Sequence, residues 1–191
     1  MFKTAQLPVV RRAGEIVRRR SARFARKQDG AAAVEFALVA LPFFALTFAI
    51  LETALVFFAS QTLQAAAGDA GRLIMTGQAQ NASYTASDFK TQVCNRIYGL
   101  FNCASGMTVD VKTYSNFGSV SNTAPVSNGQ LNTNLAGYTL GGPGCIQVVT
   151  LYYQWPIHVP LLHLSNLNGN NYLLQATSVF KNEPYSSAGG C

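Results

Sequence analysis

The 191-residue chain is 49% hydrophobic, carries a formal net charge of +6, and is long enough for one ordinary domain and an appendage. Residues 1–30 hold nine Lys/Arg and two Asp/Glu, so their net charge is +7. The remaining residues hold five Lys/Arg and six Asp/Glu, so their net charge is −1. Because the body of the chain is not basic and shows no RNA-binding motif, this charge distribution argues against nucleic-acid binding.

A long apolar segment follows the basic leader. Residues 36–51 contain no charge, Glu52 and Thr53 interrupt the run, and the apolar character resumes over residues 54–59. As a helix, residues 31–59 would be roughly 43 Å long, which exceeds the ~30 Å hydrocarbon core of a bilayer. A buried helix of a soluble protein is the alternative, but such helices are rarely apolar on every face. The pattern therefore predicts a membrane-spanning segment.

The charges beside this segment predict its orientation. Because nine basic residues precede the span, the N-terminus is expected in the cytoplasm and the residues beyond 59 outside it. A cleaved Sec signal peptide is the alternative, and "FFASQ" resembles a far-side cleavage site, although signal peptides have a shorter apolar region, about 7–15 residues.

The helix is predicted to continue beyond the membrane. Helical spacing of apolar residues persists through 60–77 and predicts an amphipathic continuation that reaches about Thr76 and stops at Gly77. Pro42 lies inside the helix and predicts a kink or local loosening, because it has no N–H to donate.

Residues 78–191 are predicted to form an α+β head domain outside the membrane. A short helix is expected where Thr85 or Ser87 can cap apolar residues at helical spacing, namely Phe89, Val93, Ile97 and Leu100. Alternating stretches at 107–114, 145–155 and 172–181 predict strands. The segments 116–134 and 135–144 between them are read as loops, and residues 155–171 are broken by two prolines. We expect a small antiparallel sheet packed on the long helix.

The four cysteines, Cys94, Cys103, Cys145 and Cys191, all lie beyond the apolar segment, where an oxidising compartment would permit two disulfides. Four cysteines allow three pairings, of which Cys94–Cys103 with Cys145–Cys191 is preferred. A zinc site is the alternative, but no C-x-x-C pair occurs, and His158 and His163 lack metal-binding helical spacing.

No nucleophile, P-loop or metalloprotease motif is found, so we expect neither an enzyme nor a cofactor.

Two carboxylates interrupt the apolar region. Glu52 lies near the far boundary of the span, and we expect it to be solvated there, with no special role. Glu35 lies near the beginning, where an interfacial side chain reaching toward the headgroups is the simplest interpretation. Its neighbours point to a second interpretation, because a basic stretch, Gly30, four small or apolar residues, the acid and Phe36 occur in that order.

This arrangement resembles prepilin leaders that a membrane aspartyl peptidase cuts after glycine. The segment "RFARKQDGAAAVEFALVALPFFALTFAILETALVFFASQTLQAAAGDAGRLIMTGQAQ" is similar to the N-terminal region of TadE-like pseudopilins of the Tad (tight adherence, Flp) pilus system, and "SVFKNEPY" resembles their C-terminal region. The resemblance implies a pilin-like fold and cleavage between Gly30 and Ala31. It also implies that Glu35, with Phe36 beside it, pairs in assembly with the new α-amine of an adjacent subunit.

The same resemblance implies a location and partners. The chain would be a single-pass protein of the bacterial inner membrane, trimmed of residues 1–30, and then a minor pilin at the tip, in the shaft or at the base of the pilus. Its partners would be the prepilin peptidase, the small major pilin, sibling minor pilins and the inner-membrane assembly platform. The alternative is an unprocessed signal-anchored adaptor of an envelope complex. A tethered extracytoplasmic enzyme is a third option, for which no group of residues offers support.

Overall fold

The protein is described by a computed structural model, which covers residues 30–97, 99, 101–121, 123–159, 163–186 and 191. The predicted leader, residues 1–29, and the helical position predicted for Leu100 lie outside the described residues. In chain order, the described helices and strands are α1 Ala31–Met75, α2 Gln78–Asn81, α3 Ala86–Cys94, α4 Cys103–Gly106, β1 Met107–Tyr114, β2 Val126–Ser127, β3 Gln130–Leu131, β4 Ile146–Pro156 and β5 Asn171–Lys181.

The chain divides into two compact units. The first ends at Phe48 and contains the beginning of α1, and the second comprises Ala49–Cys191. α1 is assigned as helix throughout and continues past Pro42, whose missing N–H removes one ladder bond. The helix ends at Met75, and Gly77 follows it with a φ of +78°, the left-handed conformation that commonly terminates helices. The predicted end at Thr76–Gly77 is therefore accurate to one residue.

A three-stranded antiparallel sheet forms the centre of the second unit. The strand order is β1-β4-β5, with Val111 opposite Val149 and Leu151 opposite Ala176. The long helix and small antiparallel sheet predicted from the sequence are confirmed, and each strand boundary lies within one residue of its prediction. β4 is buried along most of its length because it is the central strand. Along β5, buried or half-buried side chains alternate with exposed ones more regularly.

The second half of α1 packs on one face of this sheet through a seam of mostly small side chains. The seam consists of Ala59, Leu63, Ala66, Ala67, Ala70, Gly71 and Ile74, all buried. These side chains share one hydrophobic core with Val149, Leu151 and Ala176 of the sheet. The amphipathic continuation predicted from residue spacing therefore has a definite partner, because its apolar stripe is the surface that the sheet covers.

The helix α3 closes the other side of the core. Thr85 is its N-cap, and its hydroxyl accepts a hydrogen bond from the Asp88 N–H, while the Asp88 carboxylate accepts one from the Thr85 N–H at 2.9 Å. This capping box satisfies two backbone donors that the helix itself cannot pair. Phe89 and Val93 are fully buried, as predicted from their spacing.

One segment read as a loop contains more structure than predicted. β2 and β3 form a two-residue-per-strand hairpin within residues 126–131, and short 3-10 turns lie at Phe117–Ser119 and Thr133–Leu135. Asn128 and Gly129 connect the strands with φ of +52° and +71°. The "NG" pair is a strong hairpin signal, so this signal was available in the sequence and the loop assignment was wrong.

The chain segment after β5 ties the end of α1 to the sheet. The Glu183 N–H donates to the Met75 carbonyl at 2.9 Å, and the Asn182 N–H donates to the Cys145 carbonyl at 2.8 Å. The buried Asn182 side-chain amide donates to the carbonyls of Gly141 and Gly142, both at 3.0 Å. These bonds satisfy a free helix carbonyl and fix the second half of "SVFKNEPY", which gives that motif a structural function.

We expect Gly71 and Gly68, three residues apart in α1, to respond in opposite ways to the same substitution. A Cβ on Gly71 would lie 2.8 Å from Phe180 Cε1 and 3.3 Å from Ser178 Oγ, whereas a Cβ on Gly68 has no described neighbour within 4 Å. Gly68→Ala should therefore raise the free energy of unfolding by about 0.5–1 kcal/mol through helix propensity. Gly71→Ala should lower it, because overpacking typically costs about 1–3 kcal/mol. Thermal unfolding in detergent would measure both, and equal responses would contradict the close packing of β5 on α1.

Candidate processing and assembly site

Gly30 begins the described chain, in a 3-10 turn that leads directly into α1. A Cβ at this position would have no described residue within 4 Å, and the backbone of Gly30 is not in the left-handed region. Neither packing nor backbone conformation therefore requires a glycine here, in contrast to Gly71 and Gly77. Among the described residues, the fold therefore gives no structural reason for a glycine at this position.

Glu35 is the fifth residue of α1 and lies beyond its first turn, too far along the helix to cap the free backbone N–H groups. The side chain is exposed, and no described residue forms an ion pair or hydrogen bond with its carboxylate. Its neighbours Val34 and Phe36 are 60% and 71% exposed. A carboxylate to which no described residue is paired therefore lies on a surface that is otherwise apolar.

That apolar surface surrounds the first part of α1. Its exposed members are Val34, Phe36, Leu38, Val39, Leu41, Phe43, Phe44, Leu46 and Phe48. Successive positions point around the whole circumference of a helix, so the apolar surface surrounds this part of α1 and is not confined to one side. By length and composition, with a mean hydropathy of 2.3 in its most apolar window, α1 can cross a membrane. It is thus consistent with a single-pass anchor near the N-terminus.

Small residues are concentrated around Glu35. Ala31, Ala32, Ala33 and Ala37 present only methyl groups, and they are exposed. Small side chains allow a second helix to approach closely in a membrane. A carboxylate surrounded by such residues is accessible to a group on a neighbouring helix.

The expectation for Glu52 was wrong. This residue belongs to the second unit, where it is only 5% exposed, and its Oε1 accepts a hydrogen bond from the His158 backbone N–H at 3.3 Å. No described basic side chain pairs with it. The error arose because solvation was inferred from position along the span alone. The available signal was helical spacing, since Ala49, Glu52, Val56 and Ala59 follow one another at intervals of three and four residues.

Two substitutions separate the charge of Glu52 from its role as an acceptor. We expect Glu52→Ala to lower the free energy of unfolding by about 1–3 kcal/mol, because it leaves the His158 backbone N–H without its partner and opens a cavity where the Glu52 side chain was buried. Glu52→Gln keeps an acceptor oxygen and should cost less than Glu52→Ala. Thermal unfolding of the full chain in detergent is the measurement, and equal losses would show that the hydrogen bond is unimportant.

The structure also places the four cysteines. Cys94 is bonded to Cys103 with a Cα–Cα distance of 5.6 Å, and Cys145 to Cys191 with 5.3 Å. These are the two pairs preferred from the sequence. Cys94–Cys103 joins the end of α3 to α4, and Cys145–Cys191 attaches the C-terminus to the residue that precedes β4.

A groove on the outer face of the sheet is lined by Asp110 and Lys112, which form a salt bridge. Lys112 Nζ donates to Asp110 Oδ2 at 2.8 Å, and Asp110 Oδ1 accepts from the Gly137 N–H at 3.0 Å. The hydrogen bond to Asp110 is the main cause that raises the pKa of Lys112. Both carboxylate oxygens of Asp110 are therefore occupied, and its contacts position the loop at residue 137.

The two histidines lie apart from these contacts. Both are exposed, and the backbone N–H of His158 is the atom that contacts Glu52. Among residues 30–97, 99, 101–121, 123–159, 163–186 and 191, no group of three or more His, Cys, Asp or Glu side chains could hold a metal ion.

Taken together, these features define a class of α+β protein in which a long apolar N-terminal helix is packed against a small antiparallel sheet. Within that class, residues 30–72 match the family model described as TadE-like protein, which confirms the resemblance drawn from the sequence. The match begins at Gly30 and includes Glu35 and Glu52. The family match supports the interpretation that the chain is a protein associated with the Tad pilus. No curated protein and no solved structure matches the chain significantly.

Proposed function

We propose that the chain is a minor pilin of a Tad-type pilus, cut by a prepilin peptidase between Gly30 and Ala31. Glu35 is the observation on which the proposal mainly depends. Its carboxylate is exposed, has no partner among the described residues, and lies on a helix surface suited to lipid or to other helices. A charged carboxylate in the middle of a bilayer costs about 2.5–3.5 kcal/mol, and less near the boundary, so a partner that neutralises it favours association.

Cleavage after Gly30 would create such a partner. The new α-amine of Ala31 would have a pKa near 8 and would be mostly protonated at neutral pH. Within one helix the amine and the Glu35 side chain are separated by about one turn, whereas a neighbouring helix shifted along its axis can bring its amine beside the carboxylate. An ion pair of this kind would set the axial offset of two subunits.

The proposed sequence of events has three stages. The chain is inserted in the inner membrane with its basic leader in the cytoplasm and residues 78–191 outside. The peptidase removes residues 1–30, and the assembly platform then brings the trimmed chain beside the major pilin and sibling minor pilins. In this scheme the chain is a substrate of the peptidase and a structural subunit, not an enzyme.

The N-terminus of the protein isolated from native envelopes tests the proposal. We expect N-terminal sequencing to begin at Ala31 and the intact mass to lack residues 1–30. A chain that begins at Met1 while pili are made normally would contradict the proposal and would favour an unprocessed, signal-anchored adaptor. A chain cut near "FFASQ" would instead identify a Sec signal peptide.

A further inference from the structure

The second unit begins with a part of α1 that has one exposed and one covered side. Five large apolar residues between positions 50 and 58 are 46–66% exposed, namely Ile50, Leu51, Leu55, Phe57 and Phe58. At about 100° per residue they lie within an arc of roughly 160°. The opposite side of the same turns is buried or half-buried and carries Glu52, Val56 and Ala59. Because α1 can cross a membrane, lipid is the medium suited to its exposed apolar side.

The end of the sheet at which β4 leads into β5 packs on the covered side of these turns. The His158 backbone N–H donates to Glu52 Oε1 at 3.3 Å. Val56, Leu164 and Tyr172 pack against the same hydrophobic core and line one pocket. This end of the sheet is therefore level with the exposed apolar residues of α1.

From that level, β5 follows α1 in the same direction. Tyr172, near the beginning of β5, lies beside the first turns of α1 in this unit. Further along, the Thr177 carbonyl accepts a hydrogen bond from Gln64 Nε2 at 3.1 Å, and beyond β5 the Glu183 N–H donates to the Met75 carbonyl at 2.9 Å. The sheet thus extends along α1, with the connection between β4 and β5 at the end nearest the exposed apolar side chains.

The two ends of the sheet differ in charge. Residues 155–159 and 163–172, which we call the β4–β5 end, contain no Asp, Glu, Lys or Arg. The opposite end of the unit has Arg72 in the last turn of α1, Lys181 at the end of β5 and Glu183 after it. Charged side chains are costly where protein meets hydrocarbon. The end without charges is therefore the end that can rest on lipid.

An aromatic pair lies at the β4–β5 end. Trp155 and Tyr172 are opposite each other in the register of β4 and β5. Tyr172 is half-buried, and Trp155 is only 8% exposed. Tyrosine and tryptophan are enriched at membrane–water boundaries, because their rings suit an apolar environment and their polar atoms can reach headgroups or water. Tyr172 is therefore suited to contact lipid, and Trp155 lies beneath the surface beside it.

We propose that the β4–β5 end lies in the lipid–water interface of the membrane that α1 crosses. The half-buried side chains of Val159, Leu164 and Tyr172 lie against phospholipid, and exposed uncharged residues such as Ser165 and Asn166 lie among the headgroups. The bilayer then contacts the second unit at two adjacent surfaces, the exposed side of α1 and the β4–β5 end. Together they orient the sheet with its charged end directed away from the lipid.

The fluorescence of Trp155, the single tryptophan of the chain, tests this placement. The full chain is reconstituted in phosphatidylcholine vesicles in which part of the lipid carries a nitroxide, a short-range quencher, on the acyl chain close to the headgroup. The matched control combines Trp155→Phe with Tyr114→Trp and so moves the fluorophore to the other end of the sheet. Tyr114 is opposite Ile146 in the register of β1 and β4, nine residues from Trp155 along β4, or roughly 30 Å.

We expect the nitroxide lipid to quench at least about twofold more of the Trp155 fluorescence than of the control, because the two probes are roughly 30 Å apart. Equal quenching of the two probes would overturn the inference. If the control does not fold, the unaltered chain still decides, because quenching of Trp155 no greater than in unlabelled vesicles would also overturn it.

The outcome is separable from that of the proposed function. The inference depends on α1 crossing the membrane and not on cleavage after Gly30, since residues 49–191 are the same in the trimmed and the untrimmed chain. Strong quenching of Trp155 in a protein that begins at Met1 would support this inference and contradict the proposed function. An N-terminus at Ala31 without quenching of Trp155 would do the reverse. Cleavage near "FFASQ" would remove the span and overturn both.

Discussion

Gly30→Leu is expected to leave the leader attached to nearly all of the protein. A peptidase that cuts after glycine must accommodate the residue without a side chain, and a leucine there would displace the scissile bond. Because small displacements of reacting atoms cost on the order of a hundredfold in rate, we expect cleavage to fall by about that factor. The measurement is the intact mass, which would retain residues 1–30.

The structure excludes one trivial explanation of such a result. A Cβ on Gly30 would have no neighbour within 4 Å in the described part of the chain, and the Gly30 backbone is not left-handed, so the substitution should not disturb α1 or the second unit. Ala37→Leu is the matched control, because it adds a side chain of the same kind to an exposed position seven residues further on. That variant should be cut normally. Complete maturation of Gly30→Leu would contradict cleavage at Gly30.

Much of the architecture was predictable because its signals are local. The strands follow from alternation around Val111, Val149 and Ala176, and α3 follows from the Thr85 cap and the spacing of Phe89 and Val93. The end of α1 follows from Gly77, the first left-handed residue after the helix. Each of these signals lies within a few residues of the feature that it specifies, so no tertiary information was needed.

The errors concern features decided by contacts between distant residues. Glu52 was expected in solvent because only its depth along the helix was considered, and His158, whose backbone N–H contacts it, is 106 residues away. The close approach of Phe180 to Gly71 is equally invisible from either segment alone. The missed β2–β3 hairpin is different, because Asn128–Gly129 is a local signal that was overlooked within a long polar segment.

Glu35 was singled out by its neighbours in the sequence, and the structure adds that its carboxylate has no partner among the described residues. The two carboxylates of α1 therefore differ in a way that only the structure reveals. Glu52 is covered by its own chain and accepts a hydrogen bond there. Glu35 remains exposed. Because of this difference, replacing glutamate by glutamine at position 35 tests the proposed pairing, and the same replacement at position 52 serves as its control.

Glu35→Gln should be inserted and trimmed normally but should enter pili at least about tenfold less efficiently. Glutamine has nearly the same size as glutamate and still offers an acceptor, so the substitution removes only the charge that would pair with the α-amine. Two unit charges 4 Å apart attract by about 4 kcal/mol at an effective dielectric constant of 20, before desolvation is subtracted. A net loss of about 1.4 kcal/mol is a factor of ten in an equilibrium constant.

The amount of trimmed protein in sheared pili, relative to that in the membrane, measures this effect. Glu52→Gln is the control, because it makes the same change at a carboxylate that contacts its own chain, and we expect it to assemble normally. Glu35→Asp should give an intermediate result, since it keeps the charge on a shorter side chain. If Glu35→Gln assembled as well as the unaltered protein, the carboxylate would not be the partner of the amine. If both glutamine variants failed equally, the loss would reflect removal of a negative charge from α1 in general and not pairing at Glu35.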